Sequence, residues 1–94
     1  MTTLVSLINL TDQGMRNVKD SPDRFEAFAA MAEKAGVKVT TVLYTTGQYD
    51  MVVIIEGEEA AAMAVMFKVA AMGNVRAQTL RGFSVSEMRR ILAG

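Results

Sequence analysis

Tyr49 and Asp50 are the adjacent side chains of this 94-residue chain with the clearest capacity for chemistry. A phenol and a carboxylate can exchange protons with a substrate, so the pair could act as an acid–base group at the mouth of a pocket. The competing interpretation is structural. Asp50 would accept backbone N–H groups that fix the turn after Gly47, and the ring of Tyr49 would pack against the C-terminal helix with its hydroxyl bonded. Because no second catalytic group adjoins the pair, the structural interpretation is favoured.

Two arginines and several strand polar groups are further candidates for ligand binding. Arg76 lies in the fourth predicted strand and Arg81 just after it, and a guanidinium there could bind an anion. We expect this end of the strand to lie near the start of the third strand, about 9.6 Å away. Arg81 could then approach Asp50 if both point to one face. The more ordinary role of these groups is a surface ion pair or a cross-strand hydrogen bond. The polar strand residues that could line a pocket are Asn9, Ser6, Tyr44 and Gln78.

The composition excludes several kinds of chemistry. The chain has neither cysteine nor histidine, which removes thiolate nucleophiles, zinc–thiolate sites and the commonest general base and metal ligand. We therefore expect no metal and no cofactor. Ten basic and ten acidic residues cancel, so no net field attracts nucleic acid or an anionic membrane. With no long apolar run and no signal-peptide pattern, we expect a cytoplasmic protein with neither nucleic acid nor membrane as its partner.

Apolar periodicity and turn residues predict the order β-α-β-β-α-β followed by a C-terminal helix. Ser21 is the expected N-cap of the first helix and Pro22 its first residue, and Ser84 with Glu87 forms a capping box for the last. Whether residues 15–20 form a helical turn or a loop stays open. The predicted strands are residues 4–10, 37–46, 51–55 and 75–80. This order is typical of a ferredoxin-like α+β domain over residues 1–94. It has a four-stranded antiparallel sheet, strands one and three in the centre, and two helices on one face.

The third strand, Met51-Val52-Val53-Ile54-Ile55, is apolar at every position, so both of its faces require cover. The two long helices cover one face of such a sheet. Either Met51, Val53 and Ile55 or Val52 and Ile54 must therefore face away from the helices. The short C-terminal helix is too small to cover that surface alone. We therefore expect two copies of the chain to pack face to face.

The run Gly47-Gln48-Tyr49-Asp50, with its apolar continuation Met51–Glu56, resembles the signature of the GYD-domain family. The run Gly73-Asn74-Val75-Arg76 and a first turn with Thr11 and Gly14 fit the same family. The likeness covers nearly the whole chain. It implies a ferredoxin-like dimeric α/β barrel and no established activity.

Two hypotheses of function follow. The first is a small non-catalytic homo-oligomer, a binding or regulatory module with a metabolite or partner site near the sheet–sheet interface. The second is a cofactor-free enzyme, such as an oxygenase or isomerase, with its pocket between the helices and the sheet. Tyr49 or Asp50 would be its acid–base group and an arginine its anion stabiliser. The absence of histidine and cysteine favours the first. The ligand and the number of copies beyond two stay open.

Overall fold

The computed structural model describes all residues from 1 to 94 and contains one antiparallel sheet in the order β2-β3-β1-β4. Strands one and three lie in its centre, as the sequence predicts. The α+β class and the four-stranded sheet are thus confirmed, and the topology is compatible with a ferredoxin-like fold. The elements are β1 Thr2–Leu10, α1 Asp12–Arg16, a 3-10 turn Val18–Asp20, α2 Ser21–Lys34, β2 Lys38–Tyr44, β3 Met51–Gly57, α3 Glu59–Ala71, β4 Val75–Gly82 and α4 Val85–Ala93.

The hydrophobic core lies between one face of the sheet and the two long helices, α2 and α3. Alternate residues of β1 and β3 are buried on this face, following the period of two in a strand. The alternation resolves the choice that the sequence leaves open, because Met51, Val53 and Ile55 face the helices. Val52 and Ile54 therefore lie on the opposite face. The ten core residues are Leu4, Ile8, Ala32, Val37, Met51, Val53, Ile55, Ala62, Val65 and Met66.

Helix α2 begins differently from the expectation. The 3-10 turn runs directly into it, so the cap position falls on Asp20, and Ser21 is already helical. The prediction of Ser21 as N-cap is therefore wrong. Its hydroxyl lies 2.7 Å from the hydroxyl of Tyr44 instead, which ties α2 to β2. Beyond the end of α2, Gly36 has φ 77°, the left-handed conformation expected of a glycine that terminates a helix.

Strand β2 breaks the simple alternation that its sequence suggests. A strict period of two would place Val39, Thr41 and Leu43 on one face. A register shift between Val39 and Thr41 leaves Thr40 without a paired residue on β3. An extra residue of this kind reverses the faces beyond it. Val39 therefore shares the core-facing side with Val42, whereas Thr41 and Leu43 lie on the opposite face.

Helix α4 begins with the capping box that the sequence predicts. Ser84 Oγ accepts the Glu87 N–H at 3.1 Å, and Glu87 Oε1 accepts the Ser84 N–H at 2.8 Å. The apolar side chains of α4 are nevertheless 39% to 77% exposed, so most of its apolar stripe is left uncovered by its own chain. The radius of gyration of the Cα atoms is 14.0 Å, against about 12 Å for a compact domain of this length. The stripe consists of Val85, Met88, Ile91 and Leu92.

No helix of the chain combines the length and the apolar composition that a membrane crossing requires.

Candidate functional site

The face of the sheet away from the helices carries a contiguous apolar surface with no cover, which we call the uncovered sheet face. Val5 pairs with Ile54 on one side and with Leu80 on the other. Val52 pairs with Leu7 and with Leu43, which forms a second apolar row across the sheet. Cross-strand neighbours of this kind lie close enough to form one patch. The uncovered sheet face consists of Val5, Leu7, Leu43, Val52, Ile54 and Leu80.

Polar residues border this patch at both ends. Asn9 pairs with Arg76 at one end of the sheet, and Lys38 pairs with Glu56 at the other. An exposed apolar patch with a polar rim is typical of a surface that binds another protein. The C-terminal helix does not cover this patch in its own chain, because the apolar stripe of the helix is itself exposed.

Asp50 fastens the loop after β2 to the end of β1. Its Oδ2 accepts the N–H of Leu10 at 2.9 Å, and its own N–H donates to the carbonyl of Ile8 at 2.8 Å. The hydroxyl of Tyr49 donates to Oε1 of Gln78 at 2.8 Å, so its partner lies on β4. Both side chains are half-buried. They therefore join three segments of the sheet, the loop 45–50, β1 and β4, at one end of the uncovered sheet face.

The expectation that Arg81 lies near Asp50 is wrong. Strands β3 and β4 are both antiparallel to β1, so they run parallel to each other, and the end of β4 lies beside the end of β3. Arg81 pairs with Leu4, whereas Asp50 lies at the level of Asn9, and the two levels are roughly 17 Å apart along the sheet.

Arg81 also points to the core-facing side of the sheet, because its paired residue on β1 is a core residue. Its Nη1 lies 3.8 Å from Oε2 of Glu59, the first residue of α3. Its guanidinium carbon lies 5.4 Å from the ring centroid of Phe83. Glu59 and Phe83 closely follow the ends of β3 and β4, so both partners of Arg81 lie at the opposite end of the sheet from Asp50.

Five of the remaining candidates come together, whereas Ser6 and Tyr44 lie on the core-facing side of the sheet, paired with Val53 and Met51. Arg76 pairs with Asn9 at the end of the sheet where Tyr49 and Asp50 lie, and Gln78 lies two residues further along β4. The structure thus assembles a polar cluster of Asn9, Tyr49, Asp50, Arg76 and Gln78 at one end of the uncovered sheet face. No group of three or more histidine, cysteine, aspartate or glutamate side chains is placed to hold a metal ion.

The other motif residues hold two distant turns together. Thr11 Oγ1 donates to the carbonyl of Gly73 at 2.6 Å, and the Thr11 N–H donates to the carbonyl of Asn74 at 3.0 Å. Nε2 of Gln13 donates to Oδ1 of Asn74 at 2.9 Å. A Cβ on Gly14 would lie 2.0 Å from the Asn74 carbonyl oxygen, so only glycine allows this approach. The first turn and the α3–β4 turn therefore form one structural unit.

A cavity of about 180 Å³ lies between α2, α3 and the sheet, where the enzyme hypothesis places its pocket. Neither Tyr49 nor Asp50 lines it, so the pocket and the proposed acid–base pair are separate features. Arg24 is the one ionisable side chain in its lining, and it belongs to none of the sequence motifs. The spacing along α2 is the sequence signal that could have identified Arg24. It lies four residues before Phe28 and therefore on the same side of the helix as the apolar stripe.

Comparison with known proteins agrees with these motifs. The family model of the GYD domain matches residues 4–92. A protein of Thermus thermophilus named glutamine synthetase and cystathionine beta-lyase binding protein is 32% identical over 90 residues, which cover 94% of this chain and 95% of that protein. No solved structure gives a significant match. The resemblance carried by Gly47-Gln48-Tyr49-Asp50 is thus confirmed, and the chain belongs to the GYD-domain family.

Proposed function

We propose that this protein is a non-catalytic binding module that acts as a homodimer, with the uncovered sheet faces of two copies packed against each other. The observation that carries the proposal is the apolar surface of β1 and β3 that no element of the chain covers. Val5, Leu7, Val52 and Ile54 form its centre, and each pairs with at least one apolar residue on a neighbouring strand. A second copy presents the same patch, so one two-fold contact covers both surfaces. The arrangement is that of a dimeric α/β barrel.

The size of the uncovered sheet face, taken together with the exposed stripe of α4, supports a second copy as the occupant. Four strands about 4.8 Å apart and about seven residues of about 3.3 Å each give a face of roughly 440 Å². A stable interface needs about 800 Å² from each partner. The exposed stripe of α4 supplies further area, because a helix of this length is about 14 Å long and about 10 Å wide. If α4 of each copy packs against the other copy, the contact approaches the size that a stable dimer needs.

The partner of this dimer is proposed to be another protein. The relative from Thermus thermophilus is named for binding two enzymes, and the present chain contains neither cysteine nor histidine. The polar cluster of Asn9, Tyr49, Asp50, Arg76 and Gln78 lies at the border of the proposed dimer contact. A partner protein or a small molecule that reaches this border would contact the cluster without separating the two copies.

Sedimentation equilibrium of the purified protein tests the dimer. We expect a mass of about twice 10.2 kDa, and a mass of one copy at every protein concentration would refute it. Partner binding is tested separately, with purified glutamine synthetase from the same organism as the first candidate. Arg76→Ala should weaken that binding and leave the mass unchanged. Lys34→Ala, at the exposed end of α2 and outside both proposed contacts, is the control for loss of a surface cation.

A further inference from the structure

The geometry points to a second site, separate from the dimer contact, that binds a small organic acid with an apolar body. The site is the cavity between α2, α3 and the sheet. The carboxylate of the ligand would lie on Arg24, and its apolar part would fill the space among the side chains of the two helices.

The cavity has the size and lining for the apolar part of such a ligand. Its volume is about 180 Å³, and 12 of its 15 lining residues are hydrophobic. An apolar cavity of about 150 Å³ is large enough to bind benzene. Phe25 and Phe28 form part of the wall, with ring centroids 6.0 Å apart and planes inclined at 43°. A single aromatic ring or a short alkyl chain therefore fits the space.

Arg24 supplies an unused hydrogen-bond donor beside this apolar space. Its Nη1 donates to the carbonyl of Asn17 at 2.9 Å, which holds the guanidinium in place. Its Nη2 is buried and has no hydrogen-bond partner in the chain. No carboxylate lies within ion-pair distance, because the one ion pair of the structure joins Arg81 to Glu59. A buried donor without a partner is costly, so an anionic oxygen at this position would relieve that cost.

The other two polar side chains in the lining, Ser21 and Asn74, each make a hydrogen bond within the chain. The hydroxyl of Ser21 bonds with that of Tyr44, and Oδ1 of Asn74 accepts from Gln13. Arg24 is thus the one charged group that a ligand in the cavity would meet. Because a guanidinium matches the planar geometry of a carboxylate, the site should prefer an apolar acid over a neutral or cationic molecule of the same shape.

The methionines provide a direct probe of the site. The chain has eight; four of them line the cavity and four do not. In a protein with ¹³C-labelled methionine methyls, we expect benzoate to cause saturable shifts in the first set alone. Benzyl alcohol has the same ring without the charge and should bind at least about 10-fold more weakly, equivalent to about 1.4 kcal/mol. The four that line the cavity are Met31, Met51, Met66 and Met72.

A variant isolates the role of the guanidinium. Arg24→Gln should reduce the preference for benzoate over benzyl alcohol to less than about 2-fold, and Arg90→Gln, on exposed α4, should leave it unchanged. If Arg24→Gln does not fold, the preference of the wild-type protein for benzoate over benzyl alcohol still tests the proposed site. The inference is overturned if benzoate leaves the four cavity methionines unmoved, if benzyl alcohol binds equally well, or if folded Arg24→Gln keeps the preference.

Discussion

Val52 and Val53, adjacent on β3, should respond differently to the same substitution. Val53 is 2% exposed and belongs to the core beneath the helices. Val53→Asp would place a carboxylate there without a partner, at a cost of at least about 3 kcal/mol. This is a large part of the ~5–15 kcal/mol that holds a domain folded. At about 4–8 °C for each kcal/mol, the melting temperature should fall by about 12 °C or more, or the chain should not fold.

Val52→Asp should act on association instead. In a single copy the new carboxylate reaches water from the uncovered sheet face, so the fold of that copy loses little. In the proposed dimer two carboxylates enter a dry contact, and at about 2 kcal/mol or more each the cost is at least about 4 kcal/mol. The dissociation constant of the dimer should therefore rise by about 10³-fold or more. The variant should be a folded single copy whose melting temperature no longer depends on protein concentration.

Light scattering during size exclusion, with circular dichroism for the fold, measures both outcomes. Val18→Asp is the matched control, because Val18 is a valine outside the sheet that is 42% exposed. It should change neither mass nor melting temperature appreciably. The reasoning fails if Val52→Asp keeps the mass of the wild-type protein, or if Val53→Asp is folded with an unchanged melting temperature.

Three further changes test local features. Gly14→Ala should lower stability by about 2–3 kcal/mol in urea unfolding, because its Cβ would overlap the Asn74 carbonyl; unchanged stability would contradict this close approach. Asp50→Ala removes the acceptor of the Leu10 N–H and should cost about 1.5–3 kcal/mol, more than Asp50→Asn; equal stability would argue against a structural role. Hydrogen bonding with the backbone N–H of Ser84 and, to a smaller extent, with the Ser84 side chain holds the pKa of Glu87 below its ordinary value. The resulting stabilisation of α4 is complete above about pH 4.3 and is lost as pH falls through the lower folded pKa. The protection of the α4 backbone amides from hydrogen exchange should fall as this stabilisation is lost, and Glu87→Gln should remove that dependence on pH.

The architecture could be predicted because its signals are local. The apolar run of β3, the glycines that end α2 and α3, and the capping box of α4 each act within a few residues, and their order determines the topology. The bulge at Thr40 was not predictable, since it arises from how β2 pairs with β3 and leaves no residue type that marks it. Ser21 was misassigned because the preceding turn continues into the helix, which depends on its packing rather than on the cap residue alone.

The sites depend on which segments meet, and here the sequence was less informative. Asp50 and Leu10 are distant in the chain, and their hydrogen bond follows from the pairing of β3 with β1. The position of Arg81 was misjudged because two strands that flank a common antiparallel neighbour run parallel to each other. The ligand-binding role proposed for Arg24 depends on the space between α2 and α3, which no local sequence pattern indicates.

The proposed dimer is tested most directly by detecting contacts between copies at the uncovered sheet face. In a sample that mixes ¹³C-labelled and unlabelled chains, isotope-filtered NOE spectra report only protons of different copies that lie close together. If two copies pack through this face, we expect intermolecular NOEs to the methyl groups of Val5, Val52 and Ile54. Their absence from a sample with the mass of a dimer, or NOEs confined to exposed helix residues such as Phe67, would contradict this packing.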